Sequence, residues 1–245
     1  MHVHEHVPTL FCPTDSCART RAGCSQSRQR FESARLFDSK PDQLPLLAGS
    51  KRLGTATKYS LPKAVYRNRA GLELKGSDGS VIYKLVKNEV WADKHVLTDP
   101  KGNKLALLRR DITFPAAHAR FTTFSYKPNF EGQDSTDVDA DDVAVYPFAQ
   151  LRCIVPSMPP KYEYLLFKTN DLTKPELNST INSVCSSRKR GTMTDMKDQL
   201  MLRFEEFITA KDGAGHIDVE VAAGIDPLQA LIIGISIDEE TTRSR

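Results

Sequence analysis

Histidines at alternate positions, His2, His4 and His6, precede Cys12, Cys17 and Cys24 near the start of the chain. Alternating residues share one face of an extended segment, and imidazoles with thiolates are the donor set zinc prefers. The Cys-x4-Cys and Cys-x6-Cys spacings match no common zinc module, however. Few apolar residues surround them, and small metal domains fold only around a complete ligand set. No metal is expected there. The acidic run Asp137-Val-Asp-Ala-Asp-Asp142 has the look of a calcium loop, yet Asp142 and Phe148 stand where an EF-hand needs Gly and Glu. Catalytic chemistry has even less to work with. His95 and His118 adjoin apolar positions and lack a Ser or Cys in a nucleophile context. There is no Gly-x-Ser-x-Gly, P-loop or dinucleotide fingerprint. Cys153 alternates with Leu151 and Val155 and reads as a core residue. No catalytic residue and no cofactor are expected, so the chain is read as a non-enzyme.

Basic residues carry the remaining chemistry. Arg109 and Arg110 are adjacent in a strand-like segment and so point to opposite faces. A guanidinium fork matches phosphate oxygens, so one of them could face a lipid headgroup. Lys104, at the preceding turn, could join it. Arg188, Lys189 and Arg190 form the densest basic cluster, short of the about four to eight cations of a juxtamembrane lipid binder. These six residues are the candidate lipid-binding set. The competing reading is a strand end and a loop whose charges are simply solvated.

The elements that must position them belong to a folded chain of 245 residues, 40% hydrophobic and 27% charged. Thirty-four basic against thirty-one acidic side chains leave a net charge of +3, which gives no reason to expect nucleic acid. No apolar run approaches the roughly 18 residues of a membrane-spanning helix. The opening carries neither a basic n-region nor an apolar h-region, so a secretory signal is not expected. A reducing, cytoplasmic location follows as the expectation, with the five cysteines forming no disulfide framework and the Asn178 sequon unused.

Residues 1–50 mix Ser, Arg, Gln, Pro and Cys without sustained periodicity and read as a disordered leader. From residue 53 short strands alternate with turns. Candidates are 71–75 and 81–86, joined by the Ser77-Asp78-Gly79 turn, then 90–91, 94–97, 105–109, 120–126, 143–146, 151–155, 162–167 and 216–221. Residues 200–208 fit strand and helix equally. Two polar connections interrupt the series: 131–142, with six acids and no base, and 170–198. After 221, Asp226 is a fitting N-cap and Pro227 a fitting first helical residue. The run to Ile237 is apolar on every side, so its helix must be buried all round. A β-rich domain ending in such a helix suggests a barrel closed around it.

Two segments give this arrangement a resemblance. Val96 to Arg110, a strand, an Asp-Pro-Lys-Gly-Asn turn and a Leu-rich strand ending in paired Arg, resembles the LURP-one-related family. So does Val219 to Glu239, a closing strand, a Gly-Ile-Asp turn and a final hydrophobic helix followed by acids. The family's Trp after the Arg pair is absent, and the single Trp of this chain, Trp91, precedes it. The resemblance spans about residues 53–240, with 131–142 and 170–198 as insertions. It implies a mainly β, tubby-like closed antiparallel barrel of about twelve strands around a buried hydrophobic C-terminal helix, the fold also of phospholipid scramblases. It implies no firm activity: tubby proteins bind membrane phosphoinositides and scramblases move lipids, so by analogy the expected partner is an anionic phospholipid, such as a phosphoinositide, with the protein peripheral at membranes. The alternative is a signalling or defence-related protein-interaction module without lipid affinity. A scramblase-like role ranks last, because a helix needed in the core cannot cross a bilayer. The sequence leaves the oligomeric state open.

Overall fold

The computed structural model describes residues 46–47, 50–62, 72–76, 78–87, 94–112, 119–155, 160–184, 190–208 and 215–243. Strands β1 (Thr57–Pro62), β2 (Leu72–Lys75), β3 (Val81–Lys87), β4 (Lys94–Thr98), β5 (Lys104–Ile112) and β6 (Ala119–Ser125) follow one another as an antiparallel meander. A two-residue strand, β7 (Asp137–Val138), precedes β8 (Ala144–Val155), β9 (Lys161–Leu166), β10 (Glu176–Val184), β11 (Arg190–Asp195), β12 (Leu200–Ile208) and β13 (Gly215–Val221). Pairing of β1 with β13 and of β6 with β8 closes twelve of these strands into a barrel. β7 pairs only with β8 and lies outside the ring.

Period-two alternation decides which face each strand buries. In β13, Ile217, Val219 and Val221 are buried while His216, Asp218 and Glu220 face outward. Opposite charges meet across the outer ladders: Arg190 with Glu205, Arg203 with Glu220 and Arg152 with Glu163 are register partners and ion pairs. Charge outside and apolar packing inside is the reverse of an outer-membrane barrel, whose apolar band faces lipid.

Helix α1 (Pro227–Arg243), 17 residues and about 25 Å long, fills the interior. Leu228, Leu231, Ile232, Ile233, Ile235 and Ile237 all belong to one core cluster with the inward residues of the strands. Burial continues past the apolar run, since Asp238, Glu239 and Glu240 are also buried. No described helix is long and apolar enough to cross a membrane.

Three expectations change. The stretch 170–198, read as a polar insertion, contains β10 and β11, two barrel strands in register from Ser179↔Asp195 to Val184↔Arg190. Its inward positions are Ser179, Ile181, Gly191 and Met193, too small or too sparse to print an apolar alternation. Gly191 is what admits the ring of its partner Phe204, which lies 2.2 Å from where a Cβ would stand. Second, 143–146 and 151–155 are the ends of one continuous strand, β8. Third, the leader expected over 1–50 lends Leu47 and Ser50 to the fold. Leu47 is fully buried in the core, its N–H donates to Asp226 Oδ2 at 3.1 Å, and Ser50 Oγ donates to Asp226 Oδ1. Asp226 also caps α1 by accepting the Leu228 N–H at 2.9 Å, as expected of an N-cap. Residues 200–208 resolve as strand β12, and the strand expected at Val90-Trp91 lies outside the described residues.

Candidate functional site

β5 carries Leu107 and Arg109 on its outer face and Leu108 and Arg110 on its inner one. Outside, Leu107 packs with Val96 of β4, Phe124 of β6 and Val145 of β8 in a small satellite cluster edged by Tyr126. Around this apolar plateau stand three cations: Lys94 of β4 and Lys104 and Arg109 of β5. Arg109 sits with its guanidinium 4.8 Å from the centroid of the Phe124 ring, and Lys104 Nζ lies 5.7 Å from that of Tyr126.

The acidic connection folds back over this face. Lys94 Nζ donates to Asp137 Oδ1 at 3.0 Å and to the Val138 carbonyl at 3.1 Å. Arg109 donates through Nε to Asp111 Oδ1 at 2.7 Å and through Nη1 to Asp137 Oδ2. One carboxylate of the connection is thus held between two cations. Lys104 Nζ donates to both Asp139 Oδ2 and Asp141 Oδ2. Asp139 accepts three further bonds, from Tyr126 Oη at 2.9 Å, the Asp141 N–H at 2.9 Å and the Val143 N–H at 3.0 Å. Asp111 is steadied in turn by Thr122 Oγ1 at 2.7 Å.

The electrostatics follow from these contacts. Burial pushes the Asp137 carboxyl up, but Lys94, the Val138 amide and Arg109 outweigh it and leave it below the usual range. Burial likewise works against Asp139 ionisation, and Lys104, two backbone amides and the Tyr126 hydroxyl reverse it. Desolvation disfavours the Lys104 ammonium, yet Asp139 and Asp141 raise its pKa overall. Burial and then Asp139 push the Tyr126 phenol up, so it stays a hydrogen-bond donor.

The six sequence candidates therefore separate. Lys104 and Arg109 share the outer face and are already engaged by carboxylates. Arg110 points the other way: its register partner Phe121 is a core residue, and its Nε and Nη1 are buried without a hydrogen-bond partner among the described residues. Arg190, on β11 and five strands round the ring from β5, is ion-paired to Glu205 of β12. Arg188 and Lys189 lie outside the described residues. Lys94, Tyr126 and the aspartates belong to the site although no sequence argument selected them for it. The legible signal was the alternation Asp137, Asp139, Asp141, which puts three acids on one side of an extended segment; its docking against residues 35 positions away was not.

His95 is fully buried and Cys153 packs against the core from a partly buried position. His118, like His2, His4, His6 and the three early cysteines, lies outside the described residues. Among the described residues no group of three or more His, Cys, Asp or Glu is arranged to hold a metal ion.

No family model matches the chain, and no curated protein matches it. Among solved structures it is similar to the X-ray structure of a protein from Arabidopsis thaliana, AT5G01750, at 14% identity and a TM-score of 0.48, covering 77% of this chain and 93% of that one.

Proposed function

We propose that this protein is a non-enzymatic, tubby-like barrel of the LURP-one-related kind that binds the headgroup of an anionic phospholipid on the outer face of β4 and β5. The observation that carries this reading is the clasp of Asp137 between Lys94 and Arg109, with Lys104 holding two more carboxylates beside it. Ammonium and guanidinium groups that bracket a carboxylate make the same charge-assisted bonds to a phosphate. The resemblance of Val96 to Arg110 and of Val219 to Glu239, together with the closed barrel around α1, supports the family reading. A cytoplasmic protein, peripheral at membranes, fits it.

Sedimentation of the full chain with vesicles of phosphatidylcholine alone, or doped with phosphatidylserine or a phosphoinositide, tests the proposal. Binding should be selective for phosphoinositide vesicles and weaken as salt is raised, because contacts between exposed charges are screened. Equal partitioning onto neutral vesicles would remove it. A second reading, a signalling or defence-related protein-interaction module without lipid affinity, is favoured by the neutralisation of Lys94, Lys104 and Arg109 by acids of the chain itself. It expects a stoichiometric protein partner and no vesicle binding at either salt.

A further inference from the structure

The strap of residues 134–142 meets the cationic face through charged and polar contacts rather than apolar ones. β7 is joined to β8 by two register pairs, Asp137↔Val145 and Val138↔Ala144, and to no other strand. The apolar side chains that could have glued it down point away: Val138 and Val143 are 43% and 42% exposed. Asp137 and Asp139 face the barrel instead, their side chains 20% and 1% exposed, while Asp141 reaches Lys104 from the solvent side at 72%. A segment docked by apolar burial offers a competing ion nothing to replace, whereas one docked through ion pairs can be exchanged for another anion that satisfies the same cations.

The contacts also divide into two subsites. Lys94 and Arg109 hold the Asp137 carboxylate between them. Lys104 and Tyr126 hold Asp139, with Asp141 completing the second. Asp137 and Asp139 stand two residues apart, about 7 Å along an extended chain. The Asp139 turn is self-contained, since Asp139 Oδ1 accepts the Asp141 and Val143 amides whether or not Lys104 is bound.

We propose that the strap is a built-in competitor: Asp137, Asp139 and Asp141 occupy an anion site in cis, and a lipid headgroup bearing two phosphate groups displaces them. This rests on the lipid-binding reading and adds its regulation. The natural chain then binds anionic membranes weakly, and any event that lifts or neutralises the strap exposes three cations at once. The outward-facing Val138 and Val143 are placed to meet the bilayer interface when it swings aside.

The test is full-length Asp137→Asn/Asp139→Asn/Asp141→Asn beside the natural chain, sedimented with phosphatidylcholine vesicles with and without phosphatidylinositol bisphosphate. The triple variant should bind the doped vesicles at least about tenfold more tightly, given the worth of each unmasked cation near an anionic surface. Adding Lys104→Glu and Arg109→Glu to it should abolish the gain. If loss of the Asp139 contacts unfolds the triple variant, Asp137→Asn/Asp141→Asn leaves that turn intact and should show a smaller gain of the same sign. Equal, measurable binding by variant and natural chain would overturn the strap while leaving the lipid reading standing. No binding by either would overturn both. Calorimetry with the soluble inositol phosphate headgroup separates the ligand sources: a gain seen there and absent on vesicles would overturn the membrane assignment.

Discussion

Asp226 and Asp139 are both buried carboxylates, and their surroundings send them in opposite directions. Around Asp226 burial dominates over the bonds from Ser50, Leu47, Gln229 and Leu228, and its pKa is raised. The same charge pushes the neighbouring Tyr83 phenol, already raised by burial, up to about 12. A carboxyl whose folded pKa lies above its unfolded value of 3.8 binds more protons folded than unfolded, so stability falls as pH rises through that interval. Asp226→Asn keeps an N-cap oxygen and loses the charge. Its denaturation midpoint should therefore decline less than that of the natural chain as pH rises above 3.8; parallel curves would show that Asp226 ionises without penalty. Asp137 and Asp139 have depressed values, and the sign reverses. Their contribution is present above 3.8 and is lost as pH falls through their folded pKa values. The strap-neutral variant should lose less stability than the natural chain on acidification below 3.8, read from the same denaturation series.

At the scale of elements, the barrel wall and its central helix constrain each other. Gly191 faces Phe204 across β11 and β12, and a methyl group there would stand 2.2 Å from the ring. Gly191→Ala should cost about 1–3 kcal/mol, as overpacking does, in chemical denaturation. An unchanged midpoint would mean the ring moves aside without loss. Inside, Ile233 is buried in the core cluster on a helix whose side chains are all buried from 227 to 240. Ile233→Asp places an unpaired charge there and should cost about 3 kcal/mol or more, enough to leave the domain unfolded or insoluble. A soluble variant with a cooperative melt would refute the all-round burial of α1. The helix itself was legible in advance because an N-cap, a first-turn proline and an unbroken apolar run are local signals. β10 and β11 were not, since Asn, Ser, Thr and Gly interrupt their apolar alternation and only pairing with β9 and β12 makes them strands.

For the molecule as a whole, ring closure and the capping of its end by residues ahead of β1 set the working boundary. Leu53 exchanges backbone bonds with the turn before α1, accepting from the Gly224 N–H at 2.7 Å and donating to the Ile225 carbonyl at 3.2 Å. Together with Leu47 and Ser50 this ties the segment to the helix start. A chain beginning at residue 54 should melt below one beginning at residue 46, by about 2–3 kcal/mol for the lost burial of Leu47 alone. Coincident melts would place the boundary where composition had suggested it. The vesicle experiments belong to this scale too, because the charge a membrane meets is that of the assembled face and not of any one arginine.

What the sequence determined by itself is local: turns, strand alternation, the capped apolar helix, and through these a β-rich barrel closed around that helix, the count of about twelve strands being what the family resemblance implied. Period and propensity are properties of neighbouring residues, so they can be read from neighbours. The tertiary structure alone decided which charges meet. That Arg109 and Arg110 part to the two sides of a wall was expected from alternation, but not that Arg109 joins Lys94, Lys104 and three aspartates from a connection at least 28 positions away. A strand sends successive side chains to opposite faces, which puts Asp111 beside Arg109, but barrel closure chooses the neighbours from other strands, and neither Lys94 nor the strap's acids are written within reach of Arg109.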